Sequence, residues 1–360
     1  MQKTSVNLQM KIWKKVQLTT DSGEQRSAIA PLIISASRAT DVPAFHSSWL
    51  VNRLKRGYVC WINPFNRTSP QYISFQETRL IVFWTKNPKP MMQHLSFLDQ
   101  LGLNYYFQYT LNNYEKEGFE PNVPPLACRV ETFISLSELI GKEKVIWRFD
   151  PLLLTGQLTV GELLTRIREL GNQLVSHTDR LVFSFADILS YQKVKNNLIQ
   201  ETEIFNQSNI HCAEFSTSQK IEFAEGIHKI RQEWLKINPD FRIATCAEDI
   251  DLEKYQISHN KCIDDALIEK LFPNDLKLMG LLGVKPREQL LFGGEFQVKK
   301  PNLKDKGQRK ACGCIISKDI GAYNTCNHLC VYCYANASPE AVRKNLLELS
   351  ADSEHILPNL

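Results

Sequence analysis

Short runs of β-branched and aromatic residues alternate with longer helical patterns through most of this chain, and this alternation limits its fold more than any other feature. Apolar residues at helical spacing, such as Leu163, Ile167 and Leu170, occupy the segments between the runs. Strands that alternate with helices favour a parallel sheet with crossover helices. The predicted strands are Leu32–Ser37, Tyr58–Asn63, Leu80–Trp84, Tyr105–Thr110, Val145–Phe149, Leu181–Phe185 and Arg242–Cys246.

Nearly every predicted strand ends in polar or charged residues. The carboxyl ends of the strands form the active-site face of a (β/α)8 barrel, so polar ends on this many strands favour that fold. A chain of 360 residues is an ordinary length for one such domain. The strand-end residues are Ser35, Ser37, Arg38, Asn63, Lys86, Asn87, Gln108, Asn112, Arg148, Asp150, Asp187 and Glu248.

Seven strands are one short of a closed barrel, and the C-terminal region supplies a candidate for the eighth. Gly313–Asp319 is predicted as a strand, and Pro339–Leu349 as a helix with Ser338 as its N-cap. We expect the last strand to pair beside Leu32–Ser37 and to close an α/β barrel of the (β/α)8 TIM type. The predicted divisions are a lead-in with one strand (1–30), seven β/α units (31–248), a cysteine-bearing insertion (249–311) and a closing unit (312–360).

Three cysteines between that last strand and helix form the most specific chemical motif. Cys326, Cys330 and Cys333 have the spacing C-x3-C-x2-C and can supply three thiolates to one iron–sulfur cluster. A 4Fe–4S cluster then keeps one iron open, as a catalytic metal site needs. Zinc is the alternative, but zinc sites usually have paired C-x2-C hooks or histidines at finger spacing. His328 lies inside the motif, too close to its neighbouring cysteines to chelate comfortably.

Four other cysteines lie in or beside the insertion. Cys246 ends a predicted strand, Cys262 begins a helical pattern, and Cys312 and Cys314 form a C-x-C pair. Four thiolates make a closed shell, suited to a second iron–sulfur cluster or to zinc. Scattered unpaired thiols are the alternative. The remaining cysteines, expected to be inert core residues, are Cys60, Cys128 and Cys212.

The C-x3-C-x2-C motif resembles the signature of the radical S-adenosylmethionine (SAM) superfamily, including the aromatic Tyr332 before the last cysteine. Tyr323-Asn324 and Tyr334-Ala335-Asn336 are similar to the versions in proteins like spore photoproduct lyase. Over residues 31–336 the chain more closely resembles a family of radical-SAM-like proteins known only as a domain of unknown function. That likeness is carried by the motif and by the segments Ile34–Asp41, Val82–Pro88, Trp147–Pro151 and Cys246–Glu248.

This resemblance implies a 4Fe–4S cluster on Cys326, Cys330 and Cys333, with the fourth iron bound by the amino and carboxylate groups of SAM. One electron, from a flavodoxin or ferredoxin by family resemblance, then cleaves SAM and releases a 5′-deoxyadenosyl radical that abstracts hydrogen from a substrate. In the superfamily the strand–cysteine loop–helix unit normally opens the barrel. Its place at this C-terminus implies that the barrel is circularly permuted.

Under this permutation the first predicted strand takes the place of the superfamily's second strand, whose end holds the methionine part of SAM. Ser35, Ser37 and Arg38 are therefore candidate SAM ligands, and the Arg38 guanidinium suits the carboxylate. A structural ion pair between Arg38 and Asp41 is the alternative. Residues 293–295, Gly-Gly-Glu, resemble the superfamily's amino-binding motif, but their place before the cysteine motif favours a plain turn.

The other candidate residues are the charged groups at the strand ends and the aromatic residue of the motif. Lys86, Arg148 and Asp150 are candidate catalytic residues, and Glu248 is a candidate for cofactor binding. Charged groups inside a barrel mouth must pair with each other or with a ligand, so structural ion pairs are the alternative for all four. Tyr332 is expected to pack against adenine or the cluster.

The net charge and the number of cysteines limit the kinds of partner and the compartment that we expect for this protein. The net charge of +4 indicates no basic face for nucleic acid. Ten cysteines without a secretory signal favour metal chemistry over disulfides and predict a cytoplasmic protein. No apolar run is long enough for a membrane span, so no membrane partner is expected.

A closed barrel has a narrow mouth and favours a small-molecule substrate. The likeness to photoproduct lyase favours DNA or RNA instead, with Lys299–Lys310 supplying phosphate contacts. The rival function is a metal-stabilised nucleic-acid-binding or repair protein. A second rival is a barrel hydrolase that uses the strand-end carboxylates with a divalent metal.

Overall fold

The computed structural model describes residues 13–63, 66–284 and 301–357 as a mixed α/β fold. Across these ranges, eight strands form one sheet and four form another. One large hydrophobic cluster joins both sheets to the helices, and a smaller one lies between the larger sheet and the segments around residues 262–282 and 312–315. None of the described helices is long and apolar enough to cross a membrane.

The larger sheet is wholly parallel, as the alternation of strands and helices predicted. Every pair of neighbouring strands in it runs in the same direction. Numbered in chain order and given from one edge to the other, its strands are β11 (Ile257–His259), β10 (Arg242–Thr245), β9 (Arg180–Phe185), β8 (Val145–Leu152), β7 (Asn104–Thr110), β6 (Leu80–Thr85), β3 (Ile33–Ala36) and β12 (Lys318–Asp319).

The C-terminal strand lies beside the first strand of this sheet, which confirms the predicted pairing of the last unit with the first. Lys318 and Asp319 pair in parallel register with Ile34 and Ser35. The strand is shorter than the predicted Gly313–Asp319.

The two edges of the sheet approach each other, although β11 and β12 are not paired strands in the described residues. The Ile315 N–H donates to the Ile263 carbonyl oxygen at 3.1 Å, and the Ile316 N–H donates to the Leu303 carbonyl oxygen at 2.9 Å. The backbone before β12 is therefore bonded to the segment after β11 and to the insertion. This is why the predicted strand is cut short.

A separate four-stranded sheet precedes and interrupts the first parallel units. Tyr58–Asn63 was predicted as a barrel strand, and this was wrong, because it pairs antiparallel with Asn66–Ser74. In the parallel sheet β6 pairs directly with β3, and the eighth strand is Ile257–His259 at the other edge, which was assigned to the insertion. A short apolar run is buried in either kind of sheet, so its sequence alone does not choose between them. In spatial order the strands are β1 (Lys14–Thr19), β2 (Gln25–Ala30), β5 (Asn66–Ser74) and β4 (Tyr58–Asn63).

Helices connect the parallel strands and pack on one another. They are α1 (Val42–Phe45), α2 (Ser47–Arg56), α3 (Lys89–Met92), α4 (Leu95–Gln100), α5 (Leu126–Ile140), α6 (Val160–Leu174), α7 (Gln192–Glu201), α8 (Thr217–Trp234), α9 (Asp265–Leu271), α10 (Leu276–Leu282) and α11 (Pro339–Leu347). Gly171 on α6 lies directly against the Trp234 ring on α8. Ser338 caps α11 as predicted, accepting from the Ala341 N–H at 3.2 Å. Short 3-10 turns lie at Lys142–Lys144, Ile210–Ala213 and Glu253–Tyr255.

Candidate functional site

The cysteine loop, residues 320–338, follows β12 and lies at the carboxyl ends of β3 and β6. Asp41, just beyond β3, places its Oδ2 2.8 Å from the Nε2 of His328 in the middle of the loop. The same oxygen accepts the backbone N–H of Lys86, just beyond β6, at 2.7 Å. The His328 ring also packs edge-on against Phe45, with centroids 4.6 Å apart. One buried carboxylate therefore fastens the loop to two strand ends.

A second set of contacts fastens the loop through Tyr332. Its hydroxyl donates to the Glu120 carboxylate and accepts from Lys86 Nζ at 2.9 Å and from Asn112 Nδ2 at 3.1 Å. Lys86 Nζ also lies 2.7 Å from Glu120 Oε1, and Arg129 Nη1 lies 3.5 Å from the other carboxylate oxygen. The polar end of Tyr332 is thus bound by protein groups.

The ion pair between Lys86 and Glu120 is buried and stays charged. Burial acts to lower the pKa of the Lys86 ammonium, but the Glu120 carboxylate outweighs it and raises the pKa above its ordinary value. Burial acts to raise the pKa of Glu120, but Lys86 and Arg129 hold it below its ordinary value. Lys86 therefore has the structural ion pair that the sequence analysis kept as the alternative to a catalytic role.

The three motif cysteines lie close enough for their charges to act on one another. Burial raises the pKa of the Cys326 thiol to about 12 and that of Cys330 well above its ordinary value. Cys330 is 8 % exposed, and Cys333 is partly buried. Thiols with such raised pKa values need a bound cation to become thiolates at neutral pH, which is what a metal ion or an iron–sulfur cluster provides.

Asp319, the last residue of β12, accepts hydrogen bonds from several groups at the end of β3. Its carboxylate accepts from the Ser35 hydroxyl at 2.9 Å, the Ser37 hydroxyl at 2.8 Å and the Arg38 backbone N–H at 2.8 Å. The Gly321 N–H adds a further bond at 2.9 Å. The two serines that the sequence analysis assigned to SAM are therefore held by a carboxylate that it did not single out.

The Arg38 guanidinium is buried beside the Trp84 ring, 5.0 Å from its centroid. Its Nη1 makes only long contacts to the hydroxyls of Ser35 and Ser317, at 3.4 and 3.5 Å. Its Nη2 is buried and has no hydrogen-bond partner among the described residues. The alternative of an ion pair with Asp41 is wrong, since that carboxylate binds His328 and the Lys86 N–H instead.

Arg148 and Asp150 form an ion pair within β8. The Arg148 Nε lies 3.1 Å from Asp150 Oδ2, and the Ser184 hydroxyl donates to the other carboxylate oxygen. Arg148 Nη1 reaches Gln108 Oε1 at 3.1 Å and the Cys262 sulfur at 3.0 Å. Burial acts to raise the pKa of Asp150, but Arg148 and Ser184 outweigh it and hold the pKa below its ordinary value.

Glu248 lies beyond β10 and is almost fully buried. Its Oε1 accepts the Phe185 backbone N–H at 2.9 Å, and Lys220 Nζ lies 3.8 Å from its Oε2. Burial raises the pKa of Glu248 to about 7. Nearby, Arg309 of the insertion binds Asp187 at 2.9 Å. Of the predicted insertion features, residues 293–295 and 299–300 lie outside the described residues.

The structure brings the four remaining cysteines of interest together at the sheet edges. The sulfurs of Cys246 and Cys262 are 3.5 Å apart, and the Cys314 sulfur accepts the Cys262 N–H at 3.2 Å. Cys312 lies next to Cys314, whose hydrogen bond lowers the pKa of the Cys312 thiol to about 7. Within the described ranges, no group of three or more His, Cys, Asp or Glu side chains is placed so that it could hold a metal ion as it stands, and this includes both groups of cysteines.

A family model described as a domain of unknown function (DUF1848) matches residues 33–335. The chain belongs to this family. The match begins at β3 and ends just past Cys333, so it covers the whole parallel sheet and both groups of cysteines. The predicted membership of a domain-of-unknown-function family is thereby confirmed, and the likeness to the radical SAM superfamily stays a prediction. No curated protein and no solved structure matches the chain significantly.

Three carboxylates of the site were missed or misassigned in the sequence. Asp319 ends a predicted strand, so the strand-end pattern that identified Glu248 also applied to it. Asp41 was considered only as a partner of Arg38. Glu120 lies within the long segment between β7 and α5, and no spacing or motif there distinguishes it from its neighbours. Only the fold shows that it faces Lys86.

Proposed function

We propose that this protein is a radical SAM enzyme that binds a 4Fe–4S cluster at Cys326, Cys330 and Cys333 and abstracts hydrogen from a small-molecule substrate. The cluster, with SAM at its open iron, supplies the one-electron cleavage of SAM to a 5′-deoxyadenosyl radical. We further propose that the parallel sheet closes into a permuted (β/α)8 barrel, that the enzyme is cytoplasmic, and that a flavodoxin or ferredoxin supplies the electron.

The observation that carries this proposal is the place of the cysteine loop. β12 pairs with β3 in parallel, so the loop that follows β12 lies at the carboxyl edge of the sheet. Ligands of parallel α/β sheets and barrels bind at that edge. The contacts of His328 and Tyr332 with strand-end residues keep the loop there.

The set of available donors fits a cluster with an open iron. His328 is the nearest candidate for a fourth ligand in the motif, and its Nε2 is held by Asp41. The motif then offers three thiolates, which suit a 4Fe–4S cluster with one exchangeable position better than a closed zinc site.

The end of β3 fits the methionine part of SAM. The buried Nη2 of Arg38 has no partner among the described residues, and an unsatisfied buried donor is costly. A carboxylate would satisfy it through the bidentate geometry that guanidinium groups favour. Ser35 and Ser37, held by Asp319, lie beside it and would bind the amino group.

Further residues would position the substrate and the loop. Asp150, kept ionised by Arg148 and Ser184, faces the same edge and would accept a hydrogen bond from the substrate. Lys86, paired with Glu120 and Tyr332, would hold the loop in register with β6. Glu248, buried beyond β10 and accepting the Phe185 N–H, would contact a bound cofactor.

The rival function, a metal-stabilised nucleic-acid-binding or repair protein, has less support. In the described part of the basic segment, Arg309 is paired with Asp187, and Lys304 Nζ donates to the Lys310 carbonyl oxygen at 2.6 Å. These contacts leave fewer Lys and Arg side chains available to bind phosphate groups. A small-molecule substrate is therefore favoured.

The test is anaerobic purification with iron and sulfide reconstitution, followed by reduction with dithionite in the presence of SAM. We expect release of 5′-deoxyadenosine by the wild-type protein and at least a roughly 100-fold lower rate in Cys330→Ala, because that substitution removes one of the three cluster ligands.

The prediction that Cys128 and Cys212 are core residues was wrong, since both are exposed. Cys128→Ala is therefore the control, because it removes an exposed thiol on α5 that is not part of the motif. It should cleave SAM like the wild type. Absence of SAM cleavage by a fully reconstituted wild-type protein, or equal rates in the wild type and Cys330→Ala, would reject the proposed function.

A further inference from the structure

The four cysteines beside the sheet edges form a compact group that does not depend on the cysteine loop. Cys246 and Cys262 have their sulfurs 3.5 Å apart, and the Cys314 sulfur accepts the backbone N–H groups of Cys262 and Ile263 at 3.2 and 3.5 Å. Cys312 lies against Cys314. Residues separated by up to 68 positions thus meet at one place.

The group joins opposite edges of the parallel sheet. Cys246 follows β10 and Cys262 follows β11, at one edge, whereas Cys312 and Cys314 precede β12, at the other. The edge strands themselves are not paired in the described residues, and the Ile315 N–H bond to the Ile263 carbonyl oxygen is the backbone contact beside the group. A metal ion bound by all four thiols would therefore link the two edges of the sheet.

Two buried guanidinium groups face the sulfurs. Arg148 Nη1 lies 3.0 Å from the Cys262 sulfur, and the Arg38 charge acts on Cys314 and Cys262. A guanidinium stays protonated in proteins, and a buried cation is costly without a compensating anion. Among the described residues, the Arg38 guanidinium contacts the Ser35 and Ser317 hydroxyls and the Trp84 ring, and the charges of Asp319 and Asp305 also act on it. Arg148 is also paired with Asp150. Four thiolates outweigh the charge of one divalent ion, so a metal bound by them is an anionic centre that adds to this compensation and lies within reach of the Arg38 charge.

The sulfur spacing distinguishes the kinds of metal centre. Thiolates around a tetrahedral zinc, with Zn–S of about 2.3 Å, lie about 3.8 Å from one another. The separation of 3.5 Å between Cys246 and Cys262 is close to this value and much longer than the bond of about 2.0 Å in a disulfide. Thiolates of a cubane cluster stand farther apart, because iron and sulfide atoms lie between them.

We propose that Cys246, Cys262, Cys312 and Cys314 bind one Zn²⁺ ion through four thiolates, and that this ion fastens the two edges of the parallel sheet together. Binding requires the Cys312 and Cys314 side chains to rotate toward the other pair, since among the described side chains no three form a metal site as they stand. Arg148 would donate a hydrogen bond to a zinc-bound sulfur.

Metal content and cobalt substitution test the site in the full chain. We expect about one zinc per chain in the wild type, and intense visible absorption of tetrahedral cobalt thiolate when Co²⁺ replaces it. Cys330→Ala should keep the zinc, which separates this inference from the proposed function. Cys262→Ser should lose it, and Cys312→Ser, at a partly exposed position, should weaken Co²⁺ binding at least about tenfold while keeping the fold. Cys128→Ser should change nothing.

Three results would overturn the zinc site. They are a wild-type protein that binds neither zinc nor Co²⁺, iron and sulfide that disappear together in Cys262→Ser, and a Cys246–Cys262 disulfide found by mass spectrometry of the alkylated protein. Removal of zinc by a chelator should also increase hydrogen exchange at residues 257–263 and 312–319 but not at residues 14–30. Unchanged exchange at both edges would reject the fastening role.

Discussion

Glu248 is the clearest case of an ordinary side chain altered by its place in this fold. The carboxyl group is 7 % exposed, accepts one backbone N–H and has Lys220 only at 3.8 Å. Burial disfavours the ionised carboxylate more than these two contacts favour it. The pKa of Glu248 is therefore raised from 4.5 to about 7. The folded protein binds a proton at Glu248 more tightly than the unfolded chain does.

This pKa predicts how Glu248→Gln changes stability with pH. The folded-state pKa is raised, so the stabilisation from the protonated carboxyl is complete below about pH 4.5 and is lost as the pH rises to about 7. The amide keeps an oxygen for the Phe185 N–H and carries no charge at any pH. The free energy of unfolding of the variant, relative to the wild type, should therefore increase by about 1–3 kcal/mol between pH 5 and pH 8.

Urea denaturation at the two pH values measures this difference. Glu233→Gln is the control, because Glu233 forms a half-exposed pair with Arg168 that is worth little. A difference between Glu248→Gln and wild type that stays constant from pH 5 to pH 8 would show that Glu248 titrates as it does in the unfolded chain.

At the scale of elements, two helices are brought close by a glycine. Gly171 on α6 faces Trp234 on α8, and a Cβ built at residue 171 would come within 1.9 Å of the indole ring. The indole is itself fixed, since it is buried and its Nε1 donates to Asn172 Oδ1 at 3.0 Å. The packing of α6 on α8 therefore requires a residue without a side chain at position 171.

Gly171→Ala should destabilise the protein by about 1–3 kcal/mol, although alanine favours helix more than glycine by about 1 kcal/mol. The reason is that the ring has no room to move from the new methyl group. Gly156→Ala is the matched control, since nothing lies within 4 Å of its Cβ position. Thermal unfolding of both variants checks this, and equal midpoints would mean that the helices separate at little cost.

At the scale of the whole molecule, the first and last described segments of the chain lie on neighbouring elements. The Glu354 carboxylate accepts the Asp21 N–H at 2.9 Å, and its backbone oxygen accepts the Cys60 N–H at 2.8 Å. Trp49 Nε1 donates to the Ser353 carbonyl oxygen at 2.9 Å. The C-terminal segment is thus held against the four-stranded sheet and α2, beside the turn that follows β1.

A chain rearranged to begin at residue 301 and end at residue 300, with residue 360 joined to residue 1, should therefore fold. In this chain 15 residues would join Leu357 to Trp13, and an extended chain of that length can span up to roughly 50 Å. We expect the circular dichroism spectrum of the wild type and a thermal midpoint within a few degrees of it. A chain of the same composition opened inside β8 is the control and should not fold. Failure of both would show that the β12–β3 pairing needs the natural chain order.

The sequence by itself determined the parallel strands, the caps such as Ser338 and the place of the C-terminal strand beside the first, because these depend on local periodicity and on few topological choices. It also identified the C-x3-C-x2-C motif through its spacing. It misplaced Tyr58–Asn63, since a short apolar run suits either sheet.

Only the tertiary structure decided which charged groups meet. Glu120 faces Lys86 and Asp319 gathers Ser35 and Ser37 across gaps of 34 and more than 280 residues, and no local pattern encodes such contacts. The same holds for the four cysteines at the sheet edges. They come into contact only because the C-terminal part of the chain folds back to pair with β3. Hydrogen bonds and ion pairs act over a few ångströms in space, whereas sequence patterns report only what is near along the chain.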